Sequence, residues 1–330
     1  MAPVETFSSA SEPAAPRQRL WLFLKAAVTG GILFALFWRY HADLPRLAGA
    51  SPWMAAAAVG FLLLQPPLIG LRWWLLLRRY HTPLPLGTLV RTTWVSVFAN
   101  QFLPAGVGGD AVRILYARRD GAGLGAATAS VLMDRIMALV ALVAAIVLLA
   151  PELPTAIDRR IVLLMGVFCT IVVAVLVAIF VYVARSGGAS RFPIVQRVLH
   201  LVFYVLRVLK SPGTLAATLF LSVLVHVLSF IGFLLVARSL AIEAATGAFL
   251  AVAALLTFVQ ILPISIGGWG VREIAAVTLL GTIGIDQGNA FVASLMLGIC
   301  YAIASLPGAA IWPFMKRGDS GKPRDHAPLR

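Results

Sequence analysis

Arg113 and Arg272 are the side chains that the sequence best equips to bind an anion. Each stands four positions after a glycine pair, Gly108-Gly109 or Gly267-Gly268. Each belongs to a thirteen-residue string that occurs twice: Gln101-Phe-Leu-Pro-Ala-Gly-Val-Gly-Gly-Asp-Ala-Val-Arg113 and Gln260-Ile-Leu-Pro-Ile-Ser-Ile-Gly-Gly-Trp-Gly-Val-Arg272, 159 residues apart and identical at seven positions. A glycine pair that opens a helix presents amide groups with partial positive charge, and an arginine one turn later adds a fork of donors. Two such helix ends approaching from opposite sides would hold an anion such as a phosphate headgroup. The same residues also admit a structural role, with glycines for close helix packing and arginines paired with Asp110, Asp134 or Glu273. Packing ranks slightly ahead for the glycines. Binding ranks ahead for the arginines, because an unneeded charge at membrane depth is strongly disfavoured.

The two strings are unequal in their acids. Asp110 in the first stands opposite Trp269 in the second, and Glu273 stands opposite Ile114. Asp134 and Arg135 project about 100° apart on a helix, so one of them at most faces a cavity directly, and Asp134 is the expected counter-ion of Arg113. Asn100, Gln101 and Gln260 suit the satisfaction of backbone groups freed at a helix break. His226, alone on an apolar segment, reads as a packed core residue. The candidate binding set is therefore Arg113, Arg272, Asp110, Glu273, Asp134, Gly108, Gly109, Gly267 and Gly268, with no catalytic residue, metal ligand or cofactor motif. Cys169 and Cys300 both fall in apolar segments, the five histidines are scattered, and no nucleotide, zinc or serine-hydrolase signature occurs.

The elements that position these residues are membrane helices. Of 330 residues, 60% are hydrophobic and 12% charged, and the mean hydropathy is +0.93; an ordinary soluble domain has neither. Apolar runs long enough to span a bilayer, about 18 residues or more, lie at 20–38, 53–71, 124–150, 161–184, 214–237 and 288–314. The net charge of +14 is spread over short loops, which argues against nucleic acid as a partner. With a cytoplasmic N-terminus, nineteen basic residues fall inside and five outside, as the positive-inside rule requires. In this reading the sequence Arg72-Trp-Trp-Leu-Leu-Leu-Arg-Arg-Tyr80 marks the inner interface after the second span.

Each duplicated string breaks an apolar stretch too short in its arms for two crossings, so 86–119 and 246–284 read as re-entrant hairpins. Span, span, hairpin, span in 20–150 repeats in 161–314 with opposite orientation. The expected fold is an all-α polytopic membrane protein with six full spans, two re-entrant helical hairpins and inverted-topology repeats whose broken helices meet near the membrane centre. Around them, 1–19 reads as a disordered cytoplasmic tail, 151–160 as an outer loop, 191–210 as an interfacial helix with affinity for anionic lipid, and 315–330 as a basic cytoplasmic tail.

The strings Phe102-Leu-Pro-Ala-Gly-Val-Gly-Gly-Asp-Ala-Val-Arg113, Ala129-Ser-Val-Leu-Met-Asp-Arg135 and Leu262-Pro-Ile-Ser-Ile-Gly-Gly-Trp-Gly-Val-Arg-Glu273 resemble the flippase-like transmembrane family typified by the membrane domain of lysylphosphatidylglycerol synthase. The resemblance covers about 20–315. It implies a multi-pass protein of a prokaryotic plasma membrane whose re-entrant helices surround a lipid-headgroup cavity and move a polar lipid between leaflets. Bifunctional members continue into a soluble aminoacyl-transfer domain, whereas about 15 polar residues follow the last apolar run here, so lipid synthesis is not part of the expectation. The substrate expected is a membrane lipid, and some members of the family serve hopanoid or glycan pathways. The rival readings are a lipid-modifying enzyme using Asp110, Asp134 or Glu273, a non-transporting partner of a lipid or glycan biosynthetic enzyme, and an ion-coupled transporter of a small solute.

Overall fold

The computed structural model describes residues 16–80, 82, 84–103, 107–153, 167, 207–208, 210–261 and 265–315, with side chains from residue 27 onward except Val107. The spans expected at 161–184, most of the interfacial helix 191–210, most of the outer loop 151–160, and the tails, apart from 16–19 and 315, lie outside the described residues.

Ten α-helices follow one another among the described residues: α1 Pro16–Tyr40, α2 Pro52–Leu63, α3 Gln65–Arg78, α4 Leu86–Ala99, α5 Val107–Arg119, α6 Leu124–Leu149, α7 Pro212–Ser239, α8 Thr246–Ile261, α9 Val271–Gly281 and α10 Gln287–Met315. Prolines set several starts. Pro52 and Pro212 sit in the first turns of α2 and α7, where a missing N–H costs nothing. Pro66 and Pro67 interrupt the bonding that would fuse α2 with α3, yet Leu64 keeps helical angles, φ −74° and ψ −17°. The two pieces therefore continue as one element over Pro52–Arg78. That element, Leu124–Glu152, Pro212–Ser239 and Gln287–Met315 are four stretches long and apolar enough to cross a membrane.

Between the long elements lie two short pairs, α4 with α5 and α8 with α9, and the helices of each pair pack against each other. The order long, short, short, long thus occurs twice. Packing between the halves is exchanged in the same way: α4 lies against α10, and its counterpart α8 lies against α6. Leu142, Phe233, Phe249, Leu256 and Leu280 centre one apolar core, and Trp73, Leu76, Leu89 and Met133 another. Polar side chains point inward while Phe34, Trp38, Leu148, Phe220 and Phe314 point outward, the arrangement that suits a hydrocarbon surround. The buried hydroxyls satisfy themselves locally: Thr93 donates to the Leu89 carbonyl at 2.8 Å and Thr218 to that of Thr214 at 2.9 Å.

The second long helix corrects the expected boundary at residue 71. It runs on to Arg78, so Arg72 and Trp73 lie inside the protein, 4% and 0% exposed, and only Arg78 and Arg79 emerge. Composition marks arginine and tryptophan as interfacial, but a carboxylate from another helix holds Arg72 below the surface.

At the opposite end of this element, a 3-10 segment, His41–Gly49, ties α1 to the start of α10. Arg46 bonds Asp286 at 2.9 Å, Asn289 at 2.6 Å and Asp43 at 2.7 Å. The Arg46 hydrogen bond holds the Asp286 carboxyl below its ordinary range.

Gly308 marks a close crossing of backbones, because a Cβ there would run into the Trp94 carbonyl of α4. At Gly60 a Cβ would meet nothing within 4 Å. Gly308→Ala is expected to lower thermal stability in detergent by about 1–3 kcal/mol, while Gly60→Ala leaves it unchanged or raises it by up to about 1 kcal/mol; parallel melting curves of the two variants check the difference.

Candidate functional site

The first duplicated string folds around Asn100. Its side-chain oxygen accepts the Gly109 amide at 2.8 Å, closing the junction between α4 and α5. A Cβ at Gly109 would collide with that amide and the Ser96 carbonyl, and one at Gly108 with Leu103. These two glycines therefore permit close packing within the first turn of α5. The second string differs. Gly267 and Gly268 form a turn with φ of 58° and 79°, and α9 begins only at Val271. The expectation that each glycine pair opens a helix thus holds for the first string alone; in the second, positive φ carries the chain through Trp269 before the helix can start.

The structure brings the two strings together. A Cβ at Gly267 would lie 2.9 Å from the Gln101 carbonyl oxygen and 3.4 Å from that of Asn100. Thr29 of α1 accepts the neighbouring Ile266 amide at 3.2 Å.

Arg113 projects from α5 into a buried ionic cluster. Its Nη1 donates to Asp134 Oδ2 at 2.8 Å, and Arg72 Nε donates to Asp134 Oδ1 at 2.5 Å. One carboxylate on α6 thus serves arginines on α3 and α5. Arg72 Nη1 also reaches Ser222 of α7 at 2.8 Å. The Arg113 guanidinium lies 4.4 Å from the Trp73 ring centre, and the indole N–H is held by Ser130 at 2.9 Å. Asp110 lies 3.9 Å from Arg113 Nη1 but is bonded twice by Arg135, both at 2.8 Å. Among the described residues, Arg72, Arg113 and Arg135 meet here with Asp110 and Asp134. Arg113, 3% exposed, keeps its Nε and Nη2 groups buried with no hydrogen-bond partner among the described residues.

Arg272 is surrounded differently. Its Nε and Nη2 both donate to Oε1 of its sequence neighbour Glu273, at 2.9 and 2.5 Å. Glu273 Oε2 accepts the Gly270 amide at 2.6 Å, and Ser294 lies 3.4 Å from Oε1. The guanidinium stacks 4.5 Å from the Trp269 ring centre, in space kept open by Gly298 of α10, where a Cβ would strike it. Both arginines of the duplicated strings therefore lie against tryptophan, but Arg272 has the carboxylate of its sequence neighbour and Arg113 shares Asp134 with Arg72.

Sequence reasoning assigns no binding role to Arg72, Arg135, Trp73 or Gly298. A signal for Arg72 exists in its spacing, since Gln65, Arg72 and Arg79 recur every seven residues and so share one face of α3. His226 bonds the Ala138 carbonyl at 2.9 Å and stacks near Phe230, as a core residue does. Among the described residues no group of three or more metal-ligating side chains gathers.

Asp134→Asn leaves two buried arginines sharing a neutral amide. It is expected to destabilise the folded protein by about 3–5 kcal/mol, with part of the loss recovered in the Asp134→Asn, Arg113→Gln double variant; thermal unfolding of the single and double variants measures this coupling.

Comparison with known proteins adds one match. The family model described as the lysylphosphatidylglycerol synthase TM region matches residues 22–308. No curated protein matches the sequence.

Proposed function

The chain belongs to the lysylphosphatidylglycerol synthase transmembrane-region family, and we propose that it moves a polar lipid with an anionic headgroup between the leaflets of a prokaryotic plasma membrane. The observation that carries this reading is Arg113. A buried guanidinium that shares its one close carboxylate and keeps two donors unused among the described residues is unfavourable in isolation, because a buried charge needs both a counter-ion and filled hydrogen bonds. A phosphodiester headgroup supplies one negative charge and the acceptor oxygens. Trp73 closes one face of the guanidinium, so the headgroup approaches Arg113 by its edge. Asp110 and Asp134 tune the charge of the receptor, Gly108 and Gly109 bring the start of α5 close to it, and the acyl chains remain in the bilayer.

The surrounding architecture supports the same reading. At 1.5 Å per residue, α4 and α5 reach about 21 and 20 Å and α8 and α9 about 24 and 17 Å, all short of a hydrocarbon core of about 30 Å. We take each pair as a re-entrant hairpin and the two halves as inverted repeats, six spans in all, with both termini cytoplasmic. Exchanged packing of α4 on α10 and α8 on α6 suits such a two-fold relation. Rocking of one half against the other about the contact at Gly267 exposes the headgroup site to each side in turn, with Arg272 and Glu273 as its second half. Chemistry on the lipid is the weaker alternative, since Asp134 and Glu273 are both committed to ion pairs and hydrogen bonds.

Protein reconstituted in vesicles is expected to accelerate leaflet exchange of a fluorescent phosphatidylglycerol. Arg113→Lys keeps the charge and one contact to Asp134 but loses the fork. It should slow exchange by about tenfold or more, the loss of one charge-assisted hydrogen bond or more, with little change in melting temperature. Exchange no faster than in protein-free vesicles, for every anionic lipid of the native membrane, refutes the reading; exchange that appears only with an added lipid or glycan synthase turns the chain into that enzyme's partner instead.

A further inference from the structure

The α3–α7 seam holds three interhelical hydrogen bonds in register. Arg79 Nε donates to Thr214 at 2.7 Å, Arg72 Nη1 to Ser222 at 2.8 Å and Gln65 Nε2 to Ser229 at 3.1 Å. The α3 donors fall in number as the α7 acceptors rise, so the helices run antiparallel. Their spacing of seven along α3, and of eight and seven along α7, keeps all three bonds on one line. The middle bond belongs to the ionic cluster of Arg113.

At the Arg79 end the seam opens into a cavity of about 250 Å³ lined by Leu75, Arg78, Arg79 and Thr214. Thr214 holds the exposed Arg79 by Nε alone. Arg78 lies flat against Trp74, 4.5 Å from the ring centre, which occupies the guanidinium face and leaves its edge donors available. Both side chains are exposed, and among the described residues neither makes an ion pair with a carboxylate. The volume is below the ~300–1,000 Å³ typical of drug-sized ligand pockets, so it has room for a headgroup but not for acyl chains.

We infer that the Arg78–Arg79 cavity is a second anion site, where a lipid phosphodiester headgroup is loaded before it moves along the α3–α7 seam to Arg113. Two positioned guanidiniums without acids recognise a phosphate group, and the seam gives the headgroup polar partners at each step while its chains stay in lipid. The loading role rests on the translocation reading; the anion site itself does not.

The test titrates the full chain in detergent with dihexanoyl phosphatidylglycerol, dihexanoyl phosphatidylcholine and inorganic phosphate. Wild-type protein should bind the phosphatidylglycerol at two sites, and Arg78→Gln, Arg79→Gln should weaken one of them by about tenfold or more, the loss of one charge-assisted hydrogen bond or more, without lowering the melting temperature. In vesicles that variant should exchange lipid slowly when anionic lipid is scarce and recover when it is abundant, a recovery that Arg113→Lys does not show. One wild-type site, removed by the Arg78, Arg79 substitutions, supports the cavity and overturns the Arg113 site; one site removed only by Arg113→Lys does the reverse. Phosphatidylcholine or inorganic phosphate binding the cavity as tightly as phosphatidylglycerol overturns the assignment to an anionic lipid.

Discussion

The ionic cluster depends on one carboxylate shared by two arginines. Asp134 receives Arg72 on one oxygen and Arg113 on the other, so α3, α5 and α6 are held by a single acid that none of them can lose alone. Away from water, neither arginine is tolerable without it, and it is tolerable only with them. Ser222 draws α7 into the same network. The long helices around the cluster are thereby set by charge as well as by apolar packing, and their relative positions follow from where that charge must sit.

Among the described residues, Asp110 is the one other acid near Arg113. Asp110 is turned toward Arg135, which lies at the cluster edge with 48% of its side chain exposed, and so contributes little to Arg113 at 3.9 Å. In the second duplicated string, Glu273 follows Arg272 directly and takes up both of its forked donors. The two strings share a stacked arginine on tryptophan and differ in how far that arginine is neutralised.

Much of the architecture is legible in composition and repetition. The duplicated strings at 101–113 and 260–272 mark both short helix pairs, and the apolar runs mark the four long elements to within a few residues at most ends. The exception is the α2–α3 element, whose helix continues to Arg78 past a stretch that reads as an interface. Asp134 could be named as a counter-ion of Arg113, alongside Asp110, because an acid at that depth needs a basic partner. Its second partner could not, because Arg72 lies 62 residues away and nothing local distinguishes a buried arginine from an interfacial one.

By itself, the sequence determined that this is a helical membrane protein, that a broken-helix string occurs in it twice, and that an arginine follows each break. Those properties are local, since hydropathy, glycine, proline and charge act over a few residues. Only the tertiary structure decided that Arg72 joins Arg113 on Asp134, that Glu273 takes up the donors of Arg272, and that Arg113 keeps two donors unbonded among the described residues. Hydrogen-bond satisfaction and charge balance depend on which side chains meet within about 3 Å, and residues from distant helices come that close only once the chain has packed.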